Sequence, residues 1–425
     1  MLRLILLSVL AVAPAWGQVA RAPAPENPDL DRAARLLAGF AIEGDEAAAR
    51  RIGLAWQSHS RSVQGRWRRY VEDTYAPIRR WVDAELPDLA PGVVFYPFSG
   101  PDILNAHAFF PKGRTYIMLG LEKIGEIPRP DQDPPRHAAE GLEALRGALV
   151  NILGMNFFRT QTMAQKIGAH PYSGVAGVLL FFLKNTGHEI VDARLIELDE
   201  TGRVVPEGAM AQRQGLRDHG VQIRFRLRGT QPVRTLYYFR GDISDGRWSR
   251  RPGLPAFVSA QGQMVTFLKA ASYLMYEPGF DDIRRTILAR SSMIVTAASG
   301  MPYHYLARDN SWDLRLFGRY DGPIDLFKQY CQPDLEFDMH RHSRGILPFS
   351  YDYNHRVGEG HVIVARRRPG FVTREPDFDN THRRGERTRC RRGQLNITYQ
   401  APEWKTREMR QAERKRRKGK AVAAE

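Results

Sequence analysis

The chain is poor in cysteine, in lysine and in long apolar runs, and the first and last of these shortages each remove a class of protein. Two cysteines in 425 residues, Cys331 and Cys390, exclude a disulfide-dense scaffold and any four-cysteine metal module. After the N-terminus no stretch approaches the roughly 18 apolar residues a bilayer span needs, and the strongest, Val175 to Leu183, is about half that. Lysine is outnumbered by arginine 10 to 53, so arginine carries the net charge of +16. Walker A, HExxH, GxSxG, SxxK and CxxC patterns are all missing, which removes the best support for the commonest phosphate, zinc-protease and serine-hydrolase readings. His188-Glu189 opens an HExxH that fails at Asp192, and Gly358-Glu359-Gly360 lacks the third glycine of a dinucleotide loop. No motif names a cofactor.

What is present begins with Met1-Leu2-Arg3, the apolar run Leu4 to Trp16, and Ala15 and Gly17 spaced two apart before Gln18. A charged start, a short apolar centre and an A-x-A-like end predict a cleavable signal peptide over residues 1–17, with a soluble mature chain that is periplasmic or secreted. No cysteine follows the apolar centre, so the lipid-anchoring signal is missing. Residues 18–28, rich in Ala and Pro, read as a flexible lead-in. The chain is 43% hydrophobic and 10% aromatic, enough for a sizeable core.

The basic excess is largely a tail. Residues 366–425 hold 19 Lys and Arg against 8 Asp and Glu, leaving only +5 for the rest. The segment Arg410 to Lys420, with Lys415, Arg416, Arg417 and Lys418 at its centre, has no aromatic residue to stack on bases. It reads as a disordered arm for an anionic envelope polymer or membrane surface, and nucleic acid is disfavoured. Export would permit a Cys331–Cys390 disulfide closing a loop of about 60 residues, worth on the order of 4 kcal/mol; two unpaired thiols are the alternative.

Periodicity predicts helices from Leu30 to Leu86, kinked or restarted at Pro77, with Trp67, Tyr70, Val71, Tyr75, Ile78, Trp81 and Val82 on one face. Strands are expected at Val93 to Phe98 and Thr115 to Leu119, and a helix at His137 to Phe158 beyond the Pro-rich segment 128–135. A buried helix at Val175 to Lys184 and an antiparallel meander of Glu189 to Leu198, Val221 to Leu227 and Thr235 to Ile243 follow. Helices are expected at Gln263 to Tyr276 and Asp281 to Val295, and a last strand at His361 to Arg366. Together these predict one α+β domain over 29–368, helical in 29–90 and mixed in 91–368. Its sheet, antiparallel or mixed, is flanked by helices and continues across the Pro-rich segment, and 369–425 is a basic extension.

Two constellations carry chemistry. Asp338, His340 and His342, spaced by two, would share one face of a strand as a metal site, against the alternative of an exposed polar loop. The turn Tyr96-Pro97-Phe98-Ser99-Gly100-Pro101-Asp102 ends a buried strand. It would present Asp102 and His107 as an acid and base pair, with Ser99 and Asn105 as ligand-binding groups. The plainer alternative is an Asx turn in which Asp102 only caps backbone, so that Asp102→Asn costs little.

The stretch Val94 to Gly125, with Ser272-Tyr273-Leu274-Met275, Ser299-Gly300-Met301-Pro302-Tyr303 and Leu347-Pro348-Phe349-Ser350-Tyr351, resembles a group of exported bacterial proteins that share a YPFSGPD-type segment. The resemblance spans roughly residues 60–368 and implies an envelope setting, with no reaction. Two functions therefore stay open. One is a binding or accessory protein for an anionic envelope component. The other is a periplasmic hydrolase of glycans or esters using dispersed carboxylates such as Asp102, Glu122, Asp242 and Asp309.

Overall fold

Residues 27–40, 46–155, 172, 174–209, 218–307, 310–353 and 356–370 are described by the computed structural model. The signal-peptide reading, Asp309, Cys390 and the tail residues Lys415 to Lys418 lie outside them.

The helical N-terminal region forms as its apolar stripe dictates. Asn27 caps the first helix, Pro28–Leu37, by accepting from Leu30 N at 3.1 Å, and Pro28 takes the first-turn position where no N–H is needed. The helix Leu54–Tyr70 runs through a π-helical turn, Val71–Tyr75, into Ala76–Glu85. Pro77 has no N–H and its ring crowds the carbonyl four residues back, so the break expected at Pro77 is taken up one turn earlier by this widened turn. Trp67, Tyr70, Ile78, Trp81 and Val82 are buried, as core residues and not as a ligand platform.

Ten strands form one mixed sheet. They are β1 Val93–Tyr96, β2 Thr115–Gly120, β3 His188–Leu198, β4 Val204–Pro206, β5 Asp218–Leu227, β6 Arg234–Arg240, β7 Met264–Leu268, β8 Ser291–Thr296, β9 Trp312–Gly318 and β10 His361–Arg367. Their order is β4-β3-β5-β6-β2-β1-β7-β8-β10-β9. The five central strands β6, β2, β1, β7 and β8 are mutually parallel, and the pairs outside them are antiparallel. β2 pairs with β6 and β1 with β7, so the sheet does continue across the Pro-rich segment. At one edge β4 is three residues long and ends in Pro206. At the other, Leu316 of β9 bridges Ser343, Arg344 N donates to Leu316 O at 2.9 Å, and Gly318 N donates to Gly345 O at 2.6 Å.

Strand alternation splits the core between the two faces. Val94, Tyr96, Tyr116 and Met118 face one core together with the N-terminal helices and the helices Ile103–Phe109, Pro135–Met155 and Val175–Asn185. Phe95, Ile117, Leu119 and Leu268 face the other, covered by Gly253–Ala260, Asp281–Arg290 and Pro333–His342. The fold is α+β. Cys331 is disulfide-bonded.

Three expectations are corrected. The helix expected at 263–276 is strand β7 followed by a 3-10 turn, Leu274–Tyr276. The helix expected at 281–295 ends at Arg290 and gives way to β8. Residues 333–342 are helical, which undoes the period-two geometry proposed for Asp338, His340 and His342.

Candidate functional site at the carboxyl edge of the sheet

β1 leads through the helix Ile103–Phe109 to β2 on one side, while β7 arrives on its other side. In parallel sheets this reversal opens a crevice beyond the strands' carboxyl ends, where ligands bind. The backbone marks the same edge. Six non-glycine residues have left-handed φ among the described residues: Phe98 (60°), Tyr172 (60°), Ala270 (54°), Ser272 (54°), Tyr273 (56°) and Asp352 (58°). Phe98 follows β1 and the triplet follows β7. Asp352 contacts Ser299 beyond β8, and Tyr172 lines the cleft beyond β2. Such conformations cost about 1–2 kcal/mol each and persist where the surroundings force them, commonly at functional sites.

Beneath the reversal lies a buried charged group. Lys269, the residue after β7, sits 3.7 Å from Asp102, and both side chains are nearly inaccessible. Asp102 caps Ile103–Phe109, accepting from Asn105 N (3.2 Å), Asn105 Nδ2 (2.9 Å) and Tyr96 OH (3.1 Å). Asp352 accepts from Ser299 Oγ at 2.6 Å and faces Lys269 electrostatically. Tyr353 OH and Ser272 Oγ lie 2.7 Å apart, half-buried above the group, and Tyr353 OH donates to Ala270 O. Burial shifts all three ionisable groups toward neutrality. It raises the carboxyl of Asp352 to about 6, with Ser299 and Lys269 opposing, raises that of Asp102, and lowers the ammonium of Lys269 against the pull of both aspartates.

Asp102 is therefore more than a lone turn cap, but its expected partner is elsewhere. His107 projects from the same helix into different company, with Nδ1 2.9 Å from Tyr75 OH and its ring edge-on to His188 at 4.6 Å. Burial, with His188 next, pushes its pKa well down. Asp102 and His107 share no hydrogen-bond partner. Ser99 closes the turn, its Oγ donating to Gly100 O or Leu119 O, and Asn105 is wholly buried. Reading the sequence missed Lys269, Ser299 and Asp352. The positive φ at Asp352 and after β7 leaves no mark in residue type.

The open part of the edge lies beyond β2 and β6. A cleft of about 770 Å³ is bounded by Leu121, Lys123 and Glu126 after β2, and by Arg240 and Asp242 at the end of β6. Arg247, Arg251, Glu207, His219, His137 and Tyr172 complete it. Arg251 is held by Asp218 (3.5 Å), and His219 by Glu197 (3.5 Å) and Glu207 (3.7 Å). Lys123, Arg240 and Arg247 form no ion pair among the described residues. Of the three dispersed carboxylates among the described residues, Asp242 lines this cleft, and it also accepts from Ser244 N at 3.0 Å. Glu122 is buried, accepting from Tyr238 OH at 3.2 Å.

Glu122 has room only because its neighbours lack side chains. A Cβ on Gly120 would lie 2.5 Å from both Glu122 Oε2 and Tyr238 OH. Gly120→Ala should therefore cost about 1–3 kcal/mol. A urea midpoint equal to that of the parent would show that this junction yields freely.

The metal reading loses its geometry. On the helix, half-buried Asp338 and exposed His342 meet at 3.8 Å while His340 points elsewhere, and Asp338 accepts from Tyr303 OH at 2.6 Å. No group of three His, Cys, Asp or Glu among the described residues is placed to hold a metal ion. No described helix is long and apolar enough to cross a membrane. Comparison with protein-family models, curated proteins and solved structures finds no match.

Proposed function

We propose that the chain is an exported binding or accessory protein of the bacterial envelope, and that its ligand sits in the cleft beyond β2 and β6. The observation that carries this reading is the position of the cleft. It is open, of the size of small-molecule sites, and lies at the carboxyl ends of parallel strands. The N-terminal pattern of residues 1–17 supports export, and the basic segment around Lys415 to Lys418 suits an anionic polymer or membrane surface.

A hydrolase is the second reading, favoured by one observation. Asp352, with its carboxyl raised to about 6, has the acidity of a general acid, and it faces Ser299 and Lys269. Binding is preferred because Lys269, Ser299 and Asp352 are buried beneath their own loops, whereas the cleft is open.

Leu121 tests the choice, since it lines the cleft and is 60% exposed. Leu121→Trp should leave the unfolding free energy within about 0.5 kcal/mol of the parent. It should also abolish the thermal shift given by the fraction of an envelope extract that is retained on the immobilised parent protein. A parent shift that the variant keeps in full would remove the cleft from the function.

A further inference from the structure

We propose that Cys390 closes the disulfide at Cys331, and that this bond carries the root of the basic extension from the amino edge of the sheet to its carboxyl edge, where the arginines flanking Cys390 seat on carboxylates beside Cys331. Cys331 is disulfide-bonded, and the sequence holds one other cysteine, Cys390. The topology sets the path between them. β10 runs antiparallel to β8, so it carries the chain away from the carboxyl edge. At its end Arg367 Nε donates to Ser291 O, where β8 begins, and Arg368 N donates to Ser311 O, just ahead of β9. The chain therefore passes Gly370 at the amino edge.

Cys331 lies at the opposite edge. Next to it, Gln332 accepts from Tyr303 N at 2.7 Å and donates to Ala298 O at 3.3 Å, both beyond β8, and its N–H donates to Tyr320 OH, beyond β9. On the other side Tyr330 stacks on Tyr273, beyond β7, with ring centroids 4.9 Å apart. The seven residues of β10 separate the two edges by about 20 Å, and the 20 residues from Gly370 to Cys390 can extend to about 66 Å. The return is within reach. Charge favours the seat as well. Around Cys331, Asp321 pairs with Arg319, Asp325 with Lys328 and Asp338 with His342, while Arg341 lies over the Phe337 ring. Asp334 and Glu336, in the first turn of the helix Pro333–His342, form no ion pair among the described residues. Residues 383–392 hold Arg383, Arg384, Arg387, Arg389, Arg391 and Arg392 against Glu386. A guanidinium fork matches a carboxylate, so the segment brings what those two acids lack.

A non-reducing peptide map of the full chain, alkylated before digestion, tests the link. The expected product joins the peptides of Cys331 and Cys390 from one chain. Alkylated thiols at both cysteines, or a link between two copies, overturn the proposal. Exchange with glutathione tests the seat. Two glutathione thiols reduce the bond to two protein thiols and one glutathione disulfide, so the equilibrium reports the effective concentration of one cysteine at the other. Asp334→Asn/Glu336→Gln should lower that concentration about threefold or more at low salt, and Arg384→Gln/Arg387→Gln should do the same. The four changes together should lose less than the product of the two effects, as groups in contact do. Equilibria unmoved by either pair, or effects that multiply in the combination, overturn the seat on Asp334 and Glu336.

Discussion

Lowering the pH from 7 to 5 should destabilise the protein by several kcal/mol, through imidazoles that the fold holds neutral. His188 is lowered to about 4, first by burial and then by Arg234, and His361 to about 3 by burial alone. A folded pKa below the unfolded value of 6.5 means that only the unfolded chain takes up protons as the pH falls. The stability is full above about 6.5 and drains away down to about 4 for His188 and about 3 for His361. At pH 5 the loss is about 2 kcal/mol for each such histidine. His361 is well placed to resist protonation, because its Nε2 accepts from Ala298 N at 2.8 Å and Nδ1 meets no hydrogen-bond partner. His107 adds to the effect in the same direction. His59, lowered to about 4, should add least, because both its nitrogens face carbonyl oxygens, of Leu37 and Leu142, and a second proton would gain a bond there. Asp352 opposes, since a carboxyl raised to about 6 is relieved of strain as the pH falls; its share at pH 5 is about 1 kcal/mol. Urea unfolding at the two pH values measures the net. A midpoint that is unchanged or higher at pH 5 would mean that these rings reach solvent.

Lys269→Met should cost about 3–5 kcal/mol, the usual penalty for stranding a buried charge by removing its partner. Here one ammonium serves two aspartates, so Asp102 and Asp352 lose a shared buried cation together. Asp102→Asn, which would be nearly silent for a simple turn cap, should cost more than about 1 kcal/mol, because the new amide turns a donor toward Lys269. The double variant should lie clearly below the sum of the two, as expected for groups in contact. Both single variants should keep the secondary structure. A Lys269→Met protein within 1 kcal/mol of the parent would show that the group carries no net charge interaction.

How much of this could be read in advance depended on how each segment is buried. The meander β3, β5 and β6 was legible because one face is partly wet: Arg194, Gln222 and Tyr237 bond across it, and alternation survives in the sequence. β7 was misread because Met264 to Leu268 are all buried, and a strand covered on both faces shows no alternation. β8 was absorbed into the helix before it, since it starts at Ser291, directly after the helix's last residue Arg290, with no Gly or Pro between them. The helix Pro333–His342 did carry its own signals, with Pro333, Asp334 and Glu336 in the first turn and His340, Arg341 and His342 in the last. The histidine spacing outweighed them in the sequence reading. At the edge, Asp102 was visible from its Gly-Pro turn. Lys269, Ser299 and Asp352 come from remote loops and meet it only because β7 lies beside β1.

The two ends of the ten-stranded ladder decide how copies of this molecule behave toward one another. An open sheet offers unpaired N–H and C=O groups at each flank, and these invite strand-by-strand growth into fibres. Here, on one flank, β4 covers Ile196 to Leu198 of β3 and closes on a proline, and further along β3 Asp31 takes Ile190 N while Leu195 O accepts from Glu207 N. On the other, Leu316 O, Gly318 N and Gly318 O are already taken by Arg344, Gly345 and Ser343. Both flanks are partly blocked, which leaves a second copy fewer free backbone groups from which to extend the sheet.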